Sequence, residues 1–233
     1  EKKDVFRFLH VSTDEVYGSL EYNSDAFSEN APYCPTSPYS ASKASSDHLV
    51  KCWFKTYGLP TLISNCTNNY GPYQFPEKLI PLTISKAIQG NPIPVYGTGN
   101  NIRDWLFVSD HIMALYKIVN SGLPGESYNI AGDCEKTNIE IVNTICSLLD
   151  DHLPHSDFFP HKKLVEFVDD RPGHDYRYAL NTSKIKSLLG WEPTVSFRTG
   201  ITETINWYLN NQEWCQDITS GFYNYERLGI KNL

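Results

Sequence analysis

The sequence lacks two features that would point to a membrane or to nucleic acid. No apolar run approaches the roughly 20 residues that a helix needs to cross a bilayer. Positive charge is also scarce, since 27 acidic residues outnumber 20 basic ones and the formal net charge is −7. Proteins that bind a nucleic-acid backbone usually carry a basic surface, so we expect neither a membrane nor a nucleic acid as a partner. A small anion in a local basic pocket is compatible with this charge.

Closely spaced cysteines and a metal-ligand pattern are absent as well. The six cysteines are scattered and include no Cys-x-x-Cys pair. Scattered thiols fit a reducing compartment, so we predict a cytoplasmic protein that does not depend on disulfides. The histidine cluster His152, His155 and His161 lies in a segment broken by proline and lacks the spacing of zinc ligands. For it we predict an exposed loop and no metal site.

The most informative run that is present is Ser-Thr-Asp-Glu-Val-Tyr-Gly at 12–18. The short apolar segment before it, residues 6–11, is typical of a buried strand in a parallel sheet. Thr13, Asp14 and Glu15 would then lie at the carboxyl end of that strand, where ligands bind in open α/β sheets. An Asp-Glu pair after a strand is often a solvated turn or the start of a helix, but two carboxylates in different environments can also serve as acid and base. Spacing alone leaves both interpretations open.

Tyr39 and Lys43 form a second chemical pair. Pro38 suits the first turn of a helix, and the four-residue separation places both side chains on one face of that helix. A tyrosine, with a pKa of about 10, is a poor base at neutral pH unless a nearby cation such as Lys43 stabilises the phenolate. The same spacing also occurs on ordinary solvated helices, and it is the Thr-Asp-Glu run upstream that favours the functional interpretation.

Six motifs follow one another along the chain: Ser-Thr-Asp-Glu-Val-Tyr-Gly at 12–18, Ser-Pro-Tyr-Ser-Ala-Ser-Lys-Ala-Ser-Ser-Asp-His-Leu at 37–49, Asn-Tyr-Gly-Pro-Tyr at 69–73, Phe-Pro-Glu-Lys-Leu-Ile-Pro at 75–81, Ile-Arg-Asp-Trp-Leu at 102–106 and Asp-Arg-Pro-Gly-His at 170–174. In this order they resemble the dTDP-glucose 4,6-dehydratases, which are extended short-chain dehydrogenases/reductases. The resemblance runs from about Arg7 to about Gly221. Related enzymes that epimerise or decarboxylate nucleotide sugars share the Tyr-x-x-x-Lys pair but usually lack the Asp-Glu pair.

The resemblance implies an α/β fold, in which the C-terminal portion of a Rossmann-type parallel sheet is joined to a smaller α/β substrate-binding lobe. Alternating strand and helix patterns agree with this class. Residues 1–75 would form a partial dinucleotide-binding domain that carries the catalytic residues. Residues 76–233 would form mainly the nucleotide-sugar-binding lobe, with one or more segments returning to the sheet. In the lobe we also predict that Asn138 caps a helix and that residues 150–163 form a long loop.

The resemblance also implies an activity, the NAD-dependent dehydration of dTDP-glucose to dTDP-4-keto-6-deoxyglucose, a carbon-oxygen lyase reaction of deoxysugar biosynthesis. Tyr39, assisted by Lys43 and hydrogen-bonded to Thr13, would take the proton of the 4-hydroxyl as hydride leaves C4 for NAD. Glu15 would remove the C5 proton and Asp14 would protonate the departing 6-hydroxyl. The hydride then returns to C6, so the net change is the loss of one water.

Binding roles follow from the resemblance in the same way. Tyr39, Lys43 and Asn69 would contact NAD. The residues that would contact the nucleotide sugar, besides Thr13, are Asn68, Lys78, Leu79, Pro94, Val95, Tyr96, Arg103, Asn138, Arg171 and His174. A guanidinium fork suits a diphosphate, although either arginine taken alone could be a surface ion-pair partner, and the Asn68-Asn69 step could be an ordinary turn.

One departure concerns the Gly-rich strand-turn-helix that cradles the pyrophosphate of NAD, because only residues 1–5 precede the first predicted strand. Gly97-Thr98-Gly99 is no substitute, since no third glycine follows and the next residues are strand-like. We therefore expect a fragment of the enzyme, or a shortened relative that cannot hold NAD by itself. The complete enzyme would be a homodimer packed through the Tyr39 helix, which we do not expect of this chain alone. A non-catalytic module that binds a nucleotide sugar or a partner protein, and an epimerase or decarboxylase, stay open as alternatives.

Overall fold

The computed structural model describes residues 6–219, so the end of the family resemblance at about Gly221 lies outside the described part. The strands are β1 Phe8–Val11, β2 Thr61–Cys66, β3 Asn68–Tyr70, β4 Ile93–Tyr96, β5 Ile102–Phe107, β6 Ser127–Ile130, β7 Glu135–Thr137 and β8 Val165–Val168. The helices are α1 Pro38–Tyr57, α2 Leu79–Ile88, α3 Val108–Ser121, α4 Asn138–His152, α5 Ser183–Leu189, α6 Phe197–Asn210 and α7 Gln212–Thr219. Short 3-10 helices occur at Asp14–Tyr17 and His161–Leu164. The predicted α/β class is confirmed. Across residues 6–219, no helix combines the length and the apolar character needed to pass through a bilayer.

The chain divides into two compact units, each assembled from three separate stretches of sequence. Among the described residues, the first unit takes 6–69, 102–135 and 173–195, and the second takes 70–101, 136–172 and 196–219. The division near residue 75 into two functional domains stays a prediction.

The first unit is built on a parallel sheet with the strand order β1-β2-β6. Phe8 pairs with Thr61 on one side of β2, and Ile63 of β2 pairs with Ser127 of β6 on the other. Every residue of β2 is buried, because this central strand is also covered by α1 and α3. A second sheet has the order β3-β5-β7. A buried cluster around these strands contains Leu62, Cys66, Leu106, Ala114, Ile118, Tyr128, Ile130, Ile185 and Trp191.

The first strand corrects one expectation. β1 lies where the apolar segment predicted it, but it is not buried, because Phe8 and Val11 are each 43% exposed. Among the strands of residues 6–219, β1 pairs with β2 alone and therefore forms an edge of the sheet. An apolar run reveals a strand but not the number of its neighbours, so its burial could not be read from sequence.

The second unit contains the parallel pair β4-β8, in which Ile93 pairs with Val165, and the mutually packed helices α2, α4 and α6. The predicted cap of α4 was wrong by one residue. Thr137 is the cap: its hydroxyl accepts the Glu140 N–H at 3.2 Å, and the Glu140 carboxylate accepts the Thr137 N–H at 2.8 Å. This reciprocal pair satisfies two N–H groups at once and leaves Asn138 as the first helical residue.

The predicted loop over residues 150–163 is only partly irregular. Helix α4 continues to His152, and a 3-10 helix begins at His161. His152 and His155 are exposed as expected. His161 is fully buried instead. The Asp150 carboxylate lies 2.6 Å from its Nδ1 atom and accepts its backbone N–H at 2.9 Å. This pairing across eleven residues is a tertiary contact that no spacing rule indicates.

Candidate active site

The Thr13-Asp14-Glu15 run begins a tight turn directly after β1. Thr13 has extended backbone angles and caps the 3-10 helix Asp14–Tyr17, its Oγ1 accepting the Glu15 N–H at 3.3 Å and donating to Asp14 Oδ1 at 3.1 Å. Thr13 and Asp14 are 8% and 4% exposed. The alternative of a solvated turn is therefore wrong for these two buried residues, whereas the alternative of a helix start describes the 3-10 helix that begins here.

Asp14 is a carboxyl whose pKa is strongly perturbed by its surroundings. Burial raises its pKa to about 7, and the neighbouring Glu15 charge acts in the same direction, while the Thr13 hydrogen bond and the Arg103 charge oppose the rise. Within residues 6–219, its buried Oδ2 atom has no hydrogen-bond partner. A carboxyl with this pKa is protonated in about half of the molecules at neutral pH, so it can donate a proton.

The raised pKa of Asp14 predicts a pH-dependent cost to stability. Asp14 holds its proton more tightly in the folded chain than in the unfolded chain. The free energy of unfolding should therefore fall as the pH rises from the ordinary pKa of a carboxyl towards about 7. Asp14→Asn should therefore raise the free energy of unfolding by up to roughly 4 kcal/mol at pH 8, with little gain at pH 4. Thermal unfolding at the two pH values measures this difference.

Asp110→Asn is the matched control for that prediction. Asp110 is also buried on a helix of the first unit, and its carboxylate accepts the N–H and hydroxyl of Thr194 and the N–H of Val195. Its replacement should lower stability at both pH values. An equal gain for Asp14→Asn at pH 4 and pH 8 would contradict the raised pKa.

Tyr39 and Lys43 lie in the first two turns of α1, as predicted. Ser37 caps this helix and exchanges hydrogen bonds with Ser40, and Pro38 occupies the first position. The hydroxyl of Thr13 is within hydrogen-bonding reach of the Tyr39 phenol, and Lys43 Nζ donates to the Val11 carbonyl at 2.8 Å. Both side chains therefore meet the carboxyl end of β1.

Burial and two neighbouring carboxylates act on the pKa of the Tyr39 phenol. The pKa of Tyr39 is raised, first by partial burial and then by the negative charges of Glu15 and Asp14, with the Thr13 hydrogen bond opposing them. The two carboxylates act on the phenol, whereas the ammonium is engaged by the Val11 carbonyl. The same finding places Tyr39 beside both acids, so the first unit brings Thr13, Asp14, Glu15, Tyr39 and Lys43 to one strand end.

Arg103, on β5, is a buried cation rather than a surface ion-pair partner. It is 5% exposed, its guanidinium donates to the backbone carbonyls of Tyr176 and Asp175 at 3.2 and 2.9 Å, and it lies over the Tyr178 ring at 4.3 Å. Its charge acts on Asp14. The structure therefore places it near the acids, and its predicted diphosphate contact stays a prediction.

The remaining predicted residues of the first unit are polar groups with partial exposure. Asn68 and Asn69 lie on β3 rather than in an ordinary turn, and the Asn69 amide approaches Cys66 Sγ at 3.4 Å. His174 is half-buried. Their contacts with substrate or cofactor stay predictions.

In the second unit, several predicted nucleotide contacts surround one turn, residues 96–99. Tyr96 ends β4, the Gly97 N–H donates to the Val168 carbonyl at the end of β8, and the first residues of α4 donate to Gly99 and Asn101 carbonyls at 3.0 and 3.1 Å. Pro94, Val95, Tyr96, Asn138 and Arg171 thus belong to segments that meet at this turn. Val95 is buried and Arg171 is exposed. Lys78 and Leu79 lie elsewhere in the unit, at the start of α2.

Gly99 is required by the geometry of this turn. Its φ is +72°, and an added Cβ would lie 2.8 Å from Val95 Cγ1 and 2.9 Å from Ile139 Cβ. We expect Gly99→Ala to lower the free energy of unfolding by roughly 2 to 5 kcal/mol. Gly190→Ala is the control, because Gly190 has a φ of +58° but open space around it, and it should cost roughly 1 to 2 kcal/mol. Equal costs in urea unfolding would show that packing at Gly99 is unimportant.

Sequence reasoning did not single out Asp47, a fully buried carboxylate on α1 that lies within hydrogen-bonding distance of three strand and loop residues. Its signal in the sequence is its position one helical turn after Lys43, on the same face. An aspartate inside a helix that otherwise carries exposed serines and lysines gives no indication of burial by itself.

Known proteins similar to this chain include dehydratases of nucleotide sugars. The family described as GDP-mannose 4,6 dehydratase matches residues 1–204. A dTDP-glucose 4,6-dehydratase of Neisseria meningitidis serogroup B is 57% identical over 98% of this chain, and one of Escherichia coli is 56% identical over 99%. The family model over residues 1–204 shows that the chain belongs to the family it describes, and the chain is similar to these dTDP-glucose 4,6-dehydratases. The resemblance drawn from the motifs is thereby confirmed.

Solved structures of similar proteins share the fold. The dTDP-glucose 4,6-dehydratase of Bacillus anthracis, determined in complex with NAD, matches with a TM-score of 0.83 at 47% identity, over 91% of this chain and 64% of that one. UDP-glucuronic acid 4-epimerase of Bacillus cereus matches with a TM-score of 0.77 at 27% identity, over 88% and 62%. The parallel sheet is thus part of a Rossmann-type fold. The chain spans 65% of the Neisseria relative and 66% of the E. coli relative, that is, less than two thirds of their length.

Proposed function

We propose that this chain supplies the catalytic side chains of an NAD-dependent dTDP-glucose 4,6-dehydratase, which oxidises C4 of the hexose, eliminates water across C5 and C6 and reduces C6. One observation carries the proposal: a buried carboxyl with a pKa of about 7, Asp14, adjoins a second carboxyl, Glu15, and both act on the Tyr39 phenol. The elimination of water needs an acid and a base beside the group that deprotonates the 4-hydroxyl.

The proton transfers can be assigned to these side chains. Tyr39 takes the proton of the 4-hydroxyl, and the Thr13 hydroxyl holds the phenol in position. The 4-ketone makes the C5 proton acidic, and Glu15 removes it. Asp14 donates its proton to the departing 6-hydroxyl, because its raised pKa makes it the proton-bearing member of the pair. One water is lost overall.

The residues at this strand end fit the nicotinamide end of NAD. NAD, when bound, accepts hydride from C4 and returns it at C6. Tyr39 is 54% exposed and so accessible to a ligand, and Lys43 lies on the same helix face at the same strand end. With Asn69 they would hold the nicotinamide and its ribose. Gly97-Thr98-Gly99 joins β4 to β5 and packs against α4, so it is not the pyrophosphate cradle.

The second unit and the nucleotide-facing residues complete the proposal. Thr13 and Asn68 would contact the hexose. The nucleoside diphosphate would be contacted by Lys78, Leu79, Pro94, Val95, Tyr96, Arg103, Asn138, Arg171 and His174. The turn at residues 96–99 supports a common role for the members of this set that surround it, because it brings the ends of β4 and β8 to the start of α4. For the complete enzyme we propose a homodimer in the cytoplasm. Support comes from Leu49, Trp53 and Tyr57, which are 63%, 52% and 71% exposed on α1, and from six cysteines outside disulfides.

Mass spectrometry of the nucleotide sugar tests the function. The protein, expressed from its full reading frame, is incubated with dTDP-glucose and NAD, and the product should have lost one water. An epimerase would leave the mass unchanged, and this outcome would overturn the dehydratase assignment.

Calorimetry with the 233-residue chain tests the alternative of a non-catalytic module that binds a nucleotide sugar. Binding of dTDP without binding of NAD, together with no water loss by the product of the full reading frame, would establish a binding module. Water loss by that product would reject it.

A further inference from the structure

Asp47 accepts several hydrogen bonds in a buried polar network next to the proposed catalytic residues. It is on α1, four residues after Lys43, and is 0% exposed. Its Oδ2 atom accepts hydrogen bonds from Ser12 Oγ at 2.9 Å, Tyr33 hydroxyl at 2.8 Å and Asn65 Nδ2 at 3.3 Å. His10 Nε2 lies 3.2 Å from its Oδ1 atom. A buried carboxylate with this many donors is held in one place.

The partners of Asp47 are located on the segments that carry the chemistry. Ser12 directly precedes Thr13, and Asn65 on β2 donates from the same Nδ2 atom to the Thr13 carbonyl at 3.1 Å. Lys43, on the same helix as Asp47, donates to the Val11 carbonyl. Val11 and Ser12 are therefore hydrogen-bonded directly to side chains on one face of α1. Thr13 is connected to the same face through Asn65.

We propose that Asp47 is a positioning residue, which fixes the Thr13-Asp14-Glu15 turn relative to Tyr39 and Lys43 on α1. The inference rests on the proposed function, because it concerns the alignment of that site. Asp47 touches none of the groups proposed to transfer protons and acts through Ser12 and Asn65. Misalignment of reacting groups by about 1 Å can cost on the order of 10²-fold in rate even when binding is unaffected.

The test compares Asp47→Asn with Asp110→Asn in the protein expressed from its full reading frame. Asn preserves the size of Asp47 but replaces one acceptor oxygen with a donor and removes the charge. We expect Asp47→Asn to lower kcat for water loss by on the order of 10²-fold with KM nearly unchanged. Asp110→Asn removes a buried carboxylate bonded to residues 194 and 195 instead, and should lower the melting temperature without this loss of kcat.

Hydrogen exchange supplies a readout that needs no substrate. In Asp47→Asn, the peptide spanning residues 10–18 should exchange faster than in the unmodified protein, while Asp110→Asn should leave that peptide protected. Ser12→Ala is the second variant, which keeps the test valid if Asp47→Asn does not fold. Ser12→Ala should reproduce part of the loss of kcat. Adding it to Asp47→Asn should lower kcat little further, because both substitutions affect the same hydrogen bond between Ser12 and Asp47.

The outcomes separate the inference from the function. Wild-type kcat in Asp47→Asn, or unchanged exchange of residues 10–18, would overturn the positioning role. A rise in KM that matches the whole loss of kcat/KM would overturn it too, since it would indicate a substrate-binding role. If the unmodified protein does not remove water from dTDP-glucose, the proposed function fails, and the exchange comparison still decides whether Asp47 holds the turn.

Discussion

Replacing Asp14 with Asn is expected to slow water loss from dTDP-glucose by about 10²- to 10⁴-fold, the usual contribution of a positioned general acid. Asn cannot donate a carboxyl proton to the departing 6-hydroxyl. The oxidation at C4 and the removal of the C5 proton need Tyr39 and Glu15, which the substitution leaves in place. Reactions in heavy water should therefore return dTDP-glucose that carries deuterium at C5 but still has its 6-hydroxyl, as read by mass spectrometry.

Asp110→Asn is the control for this experiment, because it also removes a buried carboxylate from the first unit but lies on α3 and bonds to residues 194 and 195. It should retain both water loss and C5 exchange. A variant Asp14→Asn that loses water at the normal rate would remove Asp14 from the role of acid. One that has lost C5 exchange as well as water loss would show that Asp14, and not Glu15 alone, acts at C5.

Replacing Glu15 with Gln is expected to stop both C5 deuterium uptake and water loss, again by about 10²- to 10⁴-fold. The reason is that Glu15 is the proposed base at C5, a step that precedes departure of the 6-hydroxyl. Oxidation at C4 should persist, because the Tyr39 phenol and its Thr13 partner are unchanged. Reduction of the cofactor, followed by its ultraviolet absorbance, measures this persistence.

Tyr39→Phe is the comparison that separates the first step from the second. It removes the proposed base for the 4-hydroxyl and should abolish cofactor reduction together with everything that follows. Deuterium uptake at C5 by Glu15→Gln would contradict the assignment of the base. Cofactor reduction at the normal rate in Tyr39→Phe would exclude the phenol from the oxidation step.

The proposed catalytic residues could be picked out from the sequence because they lie in short contiguous motifs. Thr13, Asp14 and Glu15 follow an apolar strand, and Tyr39 and Lys43 are one helical turn apart after a proline, so local rules place each group. Their meeting at one strand end required the additional assumption that α1 packs beside β1. The hydrogen-bonding reach between Thr13 and Tyr39 and the bond from Lys43 to Val11 bear this out.

The errors concern burial and pairing. The exposure of β1, the pairing of buried His161 with Asp150 and the cap of α4 at Thr137 depend on which neighbours surround a segment. A hydropathy pattern reports the average environment of a segment, but it does not identify its partners. The rise in the pKa of Tyr39 through burial and the charges of Glu15 and Asp14 likewise depends on its neighbours in the fold.

The sequence by itself determined the α/β class, the family and the side chains capable of proton transfer, since each depends on residue type and local order. Only the tertiary structure decided the burial, the pKa and the hydrogen-bond partners of these groups. Burial raises the pKa of Asp14 to about 7, Arg103 becomes a buried cation that acts on it, and Asp47 ties the acidic turn to the helix of Tyr39. Desolvation and hydrogen bonding depend on atoms of residues that are distant along the chain. These atoms become neighbours only when the chain folds.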